Sequence, residues 1–142
     1  MNQKDLGKAI AVAMSVVLLS FAARAQGSGP AAPRPALSTG PRFVEKSGEE
    51  LFANVCQGCH MTDGKGAAGA GTYPSLAGNR NLEASGYPVE IVVNGQRGMP
   101  AFGAMMSDDQ VVAVINFLRT HFGNEYRDEV GVEDVKPVRQ QK

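Results

Sequence analysis

Two thiols and an imidazole stand within five consecutive residues, Cys56-Gln57-Gly58-Cys59-His60. Cys-x-x-Cys-His is the spacing that covalent attachment of a c-type haem requires: the two thiols add across the two vinyl groups, and the adjacent imidazole reaches iron from one face. Three other chemistries use the same atoms. A Cys56–Cys59 disulfide would close so short a loop that it would hardly constrain the unfolded chain. A redox dithiol wants a strand before it and a helix after it. Here a helix pattern precedes the motif and a Gly-rich stretch follows. Zinc needs four ligands, and the sequence offers only one more histidine, His121, and no further cysteine. Haem attachment is the reading these residues favour.

If His60 holds iron from one side, the opposite ligand must come from Met61, Met99, Met105, Met106 or His121. Met61 adjoins His60 and cannot reach the other face. His121 sits late in a helix, beyond the main part of its apolar stripe, and is expected at the surface. Met105 and Met106 directly precede a helix cap and are expected to pack. Met99 lies between Gly98 and Pro100 in a loop, where neither helical nor strand periodicity explains an apolar residue. It is the expected second axial ligand. His/Met ligation raises the iron potential and leaves no open position, as in electron-transfer sites. Such a site breaks no substrate bond, so no catalytic acid or base is expected and the reading is an electron carrier, not an enzyme. The alternative is a haem enzyme or gas binder with a labile sixth ligand.

These residues need elements to carry them. Ser47 and Glu50 form a capping box, and Leu51, Phe52 and Val55 follow at helical spacing into the cysteine motif. Ser107 with Asp108, Asp109 and Gln110 starts a second helix, with acids at the positive end of its dipole. Its apolar stripe runs Val111, Val114, Ile115, Leu118, Phe122, and Gly123-Asn124 is its stop. Ile91, Val92 and Val93 favour a strand by propensity. Pro88 and Gly95 frame a short helix instead, and with no obvious pairing strand the span from Tyr87 to Asn94 is expected helical. Gly64 to Thr72 lacks any phosphate-binding pattern and is expected to be plain loop. The pattern is all-α, short helices and long loops with too few apolar residues to fill a core unaided. A large buried cofactor would supply the difference.

The 142 residues suggest one domain between two tails. Lys4 and Lys8, an apolar run from Ala9 to Ala23, and Ala23-Arg24-Ala25 read as a signal peptide over residues 1–25, hence export to the periplasm. The run is shorter than the roughly 20 residues that span a bilayer; an uncleaved anchor is the alternative. Residues 26–43, rich in Pro, Ala and Gly, read as a flexible linker. Residues 44–125 are the expected folded domain, and 126–142 a C-terminal extension. The balanced charge leaves no basic surplus for nucleic acid.

From Ser47 to Gly123 the chain resembles the class I monohaem cytochromes c. The resemblance implies their fold, with helices and loops wrapped around one covalent haem c. In that family a Pro-x-Leu-x-Gly segment gives the carbonyl that accepts the imidazole N–H. Tyr73-Pro74-Ser75-Leu76-Ala77-Gly78 matches it, which implies Pro74 as the acceptor for His60. The family also packs its first helix on its last through a small residue and aromatics; Gly48, Phe52 and Phe117 fit. Gly-Met-Pro-Ala-Phe, with the tail around His121 to Tyr126 and Val135 to Arg139, is similar to cytochromes serving periplasmic dehydrogenases. The implied donor is a dehydrogenase of quinone, flavin or molybdenum type, and the implied acceptor a terminal oxidase or another cytochrome in the respiratory chain. Arg97 and Lys65 are expected to help steer an acidic partner. A haem c subunit fixed in a membrane dehydrogenase complex is the alternative assembly.

Overall fold

The computed structural model describes residues 40–69 and 71–141; the expected signal peptide and residues 26–39 of the linker lie outside the described residues. The first helical run starts at α1 (Gly48–Leu51), passes through one wide turn (Phe52–Cys56) and ends in α2 (Gln57–His60). Ser47 caps it: its Oγ accepts from Glu50 N at 3.2 Å while its own N–H donates to Glu50 Oε2 at 3.2 Å. In the wide turn Gln57 N donates to Phe52 O, one residue further back than in an α-helix. Such turns occur mostly as single insertions, often at functional sites. The helix therefore continues through the cysteine motif, where the sequence suggested only that it led up to it. Met61, at φ 61°, ends it.

Next comes a loop pinched by a two-rung antiparallel ladder between β1 (Ala67–Ala68) and β2 (Thr72–Tyr73). Gly64 to Thr72, expected as plain loop, thus holds a minimal hairpin. Glycine permits it: Gly66 has φ 69°, and a Cβ there would stand 2.1 Å from Tyr73 O. A short 3-10 turn (Arg80–Leu82) leads to α3 (Gly86–Asn94), which buries Pro88, Val89, Val92 and Val93. The valines are helical despite their strand propensity. Pro88 sits in the first turn, where a missing N–H costs nothing, and Gly95 at φ 73° closes the helix.

α4 (Asp108–Thr120) carries the second capping box, Ser107 with Gln110, and buries Val111, Val114, Ile115 and Leu118. It stops at Thr120, so Phe122 is not a further member of the stripe. Phe122 takes φ 57° and turns back onto Phe52, ring centroids 4.7 Å apart. After Tyr126 the chain, anticipated only as an extension, forms α5 (Val132–Gln140). Val130 and Val135 enter the main core beside Leu51, Val89, Val93 and Ile115. Asn116 holds this return with two hydrogen bonds from its side-chain amide: Nδ2 donates to Val130 O at 3.0 Å, and Oδ1 accepts from Val130 N at 2.9 Å. No helix among the described residues is long and apolar enough to cross a membrane.

One crossing sets the layout. Gly48 of α1 lies against α4 so closely that a Cβ would stand 2.2 Å from Ala113 O and 2.5 Å from Phe117 Cβ. Phe52 meets Phe117 one turn on, at 5.8 Å between centroids. Alanine is normally the better helix former, but here overpacking outweighs propensity. Gly48→Ala is expected to lower stability by about 1–3 kcal/mol, read as a fall in Tm of the haem-loaded protein. An unchanged Tm would mean the helices separate without cost.

Candidate functional site

His60 is the last residue of the first helical run and is only 7 % exposed. Its Nδ1 lies 2.9 Å from Pro74 O. A carbonyl only accepts, so Nδ1 carries the proton and Nε2 keeps a bare lone pair. Nε2 has no hydrogen-bond partner among the described residues. An imidazole so held offers its lone pair to a metal, with the carbonyl raising its basicity.

The loop between His60 and Pro74 is folded to make that contact. Gly66 N donates to His60 O at 3.0 Å, while Gly64 O accepts from Leu76 N at 2.7 Å and Ala77 N at 3.0 Å. Gly64, at φ 69°, lies under the Phe122 ring with no room for a side chain: a Cβ would be 2.9 Å from Phe122 Cγ. Aromatic packing at the end of α4 thereby presses on the loop that carries Pro74.

Cys56 is half-buried and packs against both apolar clusters, whereas Cys59 is exposed; the two are not joined in a disulfide. Burial, with a smaller contribution from Cys59, pushes the Cys56 thiol up to about 12. A reactive dithiol needs a lowered thiol pKa; burial shifts Cys56 the other way. Among the described residues, which include every cysteine and histidine, no three His, Cys, Asp or Glu side chains gather as a metal-holding group. The donors fit a haem instead: two adjacent thiols, one on the apolar wall, and a tethered imidazole.

Met99 is half-buried and packs on the same core cluster as Cys56, Val55 and Phe102. A tight turn presents it: Gln96 N donates to Met99 O at 3.0 Å and Met99 N to Gln96 O at 2.9 Å, with Arg97 left-handed at φ 53°. The other candidates sit elsewhere. Met106 is buried in the core at 2 % exposure and Met105 is half-buried, its carbonyl accepting from Phe43 N. His121 is exposed, stacked on Phe117 at 4.0 Å with Nδ1 2.9 Å from Phe117 O. Lys65 is exposed and paired with Asp63 at 3.2 Å.

Sequence reasoning missed two polar anchors beside the site. Asn124, read only as a helix stop, is 4 % exposed. Its Nδ2 donates to Leu76 O and Leu118 O, both at 2.8 Å, and its Oδ1 accepts from Asn79 N at 2.9 Å. Arg119 is fully buried. Its guanidinium donates to Leu82 O at 2.9 Å, Glu83 O at 3.0 Å, Asp128 Oδ2 at 2.7 Å and the Asp128 carbonyl. The Arg119 hydrogen bond holds the Asp128 carboxyl below the usual carboxylate range. Neither residue belongs to a motif, and only the fold shows what each one touches.

The profile of the family described as cytochrome c oxidase, cbb3-type, subunit III matches residues 44–118, just over half the chain. The chain is 34% identical over 107 residues to the fructose dehydrogenase cytochrome subunit of Gluconobacter japonicus, covering 65% of this chain and 22% of that one. It is 30% identical over 109 residues to the gluconate 2-dehydrogenase cytochrome c subunit of Pantoea cypripedii, covering 66% and 24%. Cytochrome c6 of Euglena gracilis is 30% identical over 83 residues, 56% of this chain and 94% of that protein. The match thus spans less than a quarter of each of these two dehydrogenase subunits and nearly the whole of that cytochrome c6.

Asn124→Ala should leave Leu76 O, Leu118 O and Asn79 N without their partner. The expected cost is about 2–4 kcal/mol, measured by denaturant unfolding of the haem-loaded protein. A loss below about 0.5 kcal/mol, the size of an ordinary surface change, would show that water replaces the amide freely.

Proposed function

The chain belongs to the class I c-type cytochromes, which hold haem c covalently and transfer electrons, and we propose that it is a periplasmic one-electron carrier with His60 and Met99 as axial ligands. In this reading Cys56 and Cys59 form the two thioethers. The observation that carries it is the His60–Pro74 hydrogen bond of 2.9 Å, which leaves Nε2 without a partner among the described residues, on the residue next in sequence to the two cysteines. Bound haem c supplies an Fe(III)/Fe(II) couple.

The protein's residues do the rest. Pro74 O fixes the tautomer and the ring plane of His60, so that the donor atom is aimed before the group is attached. One helical run carries Cys56, Cys59 and His60, with Cys56 on the apolar wall. Cys56, Val55, Phe102 and Met99 keep that wall apolar, which limits solvent reorganisation when the charge changes. Met99 would bring a soft thioether, which would favour reduced iron and raise its potential. The exposed edge near Cys59 and the Met99 loop is the proposed transfer surface, with Arg97 beside it.

A dehydrogenase is the proposed electron donor, because two of the relatives named above are cytochrome subunits of dehydrogenases. The proposed acceptor is a terminal oxidase or another cytochrome. A second reading, a subunit fixed in a dehydrogenase complex, is favoured by those same subunit names. Fractionation of the haem-stained protein separates the two: a free periplasmic band supports the carrier, and co-purification with a membrane dehydrogenase supports the subunit.

Cys56→Ala combined with Cys59→Ala is expected to abolish haem stain on a denaturing gel; retained stain would sink the attachment assignment. Met99→Ala is expected to remove the sulfur-to-iron band of the ferric protein and to lower the potential by a measurable part of the roughly 0.8 V that axial ligation controls. If Met105→Ala or Met106→Ala removed the band instead, the ligand would be misassigned.

A further inference from the structure

α5 lies outside the helices that carry Cys56, Cys59 and His60, yet one of its side chains reaches the methionine loop. Arg139 spreads its guanidinium over three acceptors: Nε donates to Asp108 Oδ1 at 2.6 Å, Nη2 to Met106 O at 2.7 Å, and Nη1 to Gly103 O. Gly103 and Met106 lie in the stretch that connects Met99 to the cap of α4, and Asp108 is the first residue of that helix. The same stretch is also held by α3. Phe102 N donates to Val92 O at 2.9 Å and Gly103 N to Val93 O at 3.1 Å.

Gly103 is therefore gripped twice, its N–H by α3 and its carbonyl by α5. It has no room to shift sideways, since a Cβ would meet Val93 O at 2.6 Å and Arg139 Nη1 at 3.3 Å. Met99 hangs between this clamp and the Gln96–Met99 turn at the other end. The two fixed points leave the thioether a short tether. Three donors fixed in one plane can serve three acceptors at once, which an ammonium cannot do in the same geometry.

We infer that Arg139 is a positioning residue for the sixth ligand: it holds the loop so that the Met99 sulfur stays on the iron against competing ligands. This rests on the assignment of Met99 as the axial ligand. Loss of the clamp lets the loop open locally while the core stays folded. The fraction of protein with an exchangeable sixth position then rises, and the apparent affinity for an added ligand rises with it. A merely structural Arg139 would lower stability and leave that affinity alone.

The test is a titration of the ferric, haem-loaded protein with imidazole, followed through loss of the sulfur-to-iron band, with Tm recorded on each variant. Arg139→Gln is expected to bind imidazole roughly tenfold more tightly than wild type, the factor one charge-assisted hydrogen bond is worth. Arg139→Lys, which keeps the charge and loses the fork, should fall between them. Val135→Ala loosens α5 through the core and should lower Tm while binding imidazole as wild type does. Wild-type imidazole affinity in Arg139→Gln would overturn the inference, as would an equal gain in Val135→Ala. Met99→Ala separates the two levels: if its ferric spectrum keeps the band, the ligand assignment itself fails and takes the inference with it.

Discussion

An imidazole has two nitrogens, and a protein that offers one to iron must tie down the other without burying both. In this chain, with His60 as the proposed ligand, that constraint falls on His60 Nδ1 and Pro74 O, 2.9 Å apart. Much of the surrounding structure can be read as the means of keeping them there. The carbonyl belongs to a loop that has to leave the helix end, reverse and come back. Gly64 and Gly66 supply the left-handed backbone for the reversal, and Gly66 N closes it on His60 O. Phe122 covers Gly64, and Asn124 holds Leu76 O and Asn79 N, so the return segment is fixed to the end of α4 as well as to itself. The crossing of α1 on α4 at Gly48 then matters to the site because it sets where Phe52 meets Phe122.

The polar anchors divide by burial, and burial decides what each can contribute. Arg119 is fully enclosed, and removing a cation from water costs several kcal/mol before any partner is counted. Leu82 O, Glu83 O and both acceptors of Asp128 offset that cost. The result joins the 3-10 turn, α4 and the C-terminal segment at one point. It specifies which segments meet more than it adds net stability. Arg139 is about a quarter exposed. Its pairing with Asp108 is partly screened and weak as an ion pair. The geometry of its fork over two backbone carbonyls is therefore the larger part of its effect.

What the sequence could reveal follows from how far each interaction reaches along the chain. Capping boxes at Ser47 and Ser107 close over three residues, and both were legible. So was the span from Tyr87 to Asn94, where Pro88 and Gly95 outweighed a run of Ile and Val with strand propensity. The Cys-x-x-Cys-His spacing is equally local. By contrast Arg119 reaches Leu82, Arg139 reaches Gly103 and Asn124 reaches Asn79; no periodicity or cap rule spans such separations. The end of α4 was misjudged for a related reason. Phe122 continues the apolar spacing of the stripe, but its contact with Phe52 is made after the helix has stopped. Periodicity cannot distinguish a residue that stays on a helix face from one that returns to it through a left-handed turn.

The C-terminal segment shows the same limit from the side of packing. Read alone, Val132 to Gln140 has Pro137 in its interior and few apolar residues, which argues against an independent helix. Val130 and Val135 nevertheless enter the main core, and Asn116 meets the backbone of Val130 with both halves of its amide. Tertiary contacts outweigh the proline because only one face of α5 has to be committed, leaving Pro137 exposed on the other. Once docked, the helix is long enough to carry Arg139 over the loop between Met99 and α4. A segment with weak local helix signals thus completes the main core and reaches the stretch that follows Met99. The two residues proposed to ligate iron are consequently supported by different elements: His60 through its own loop and the end of α4, Met99 through α3 and α5.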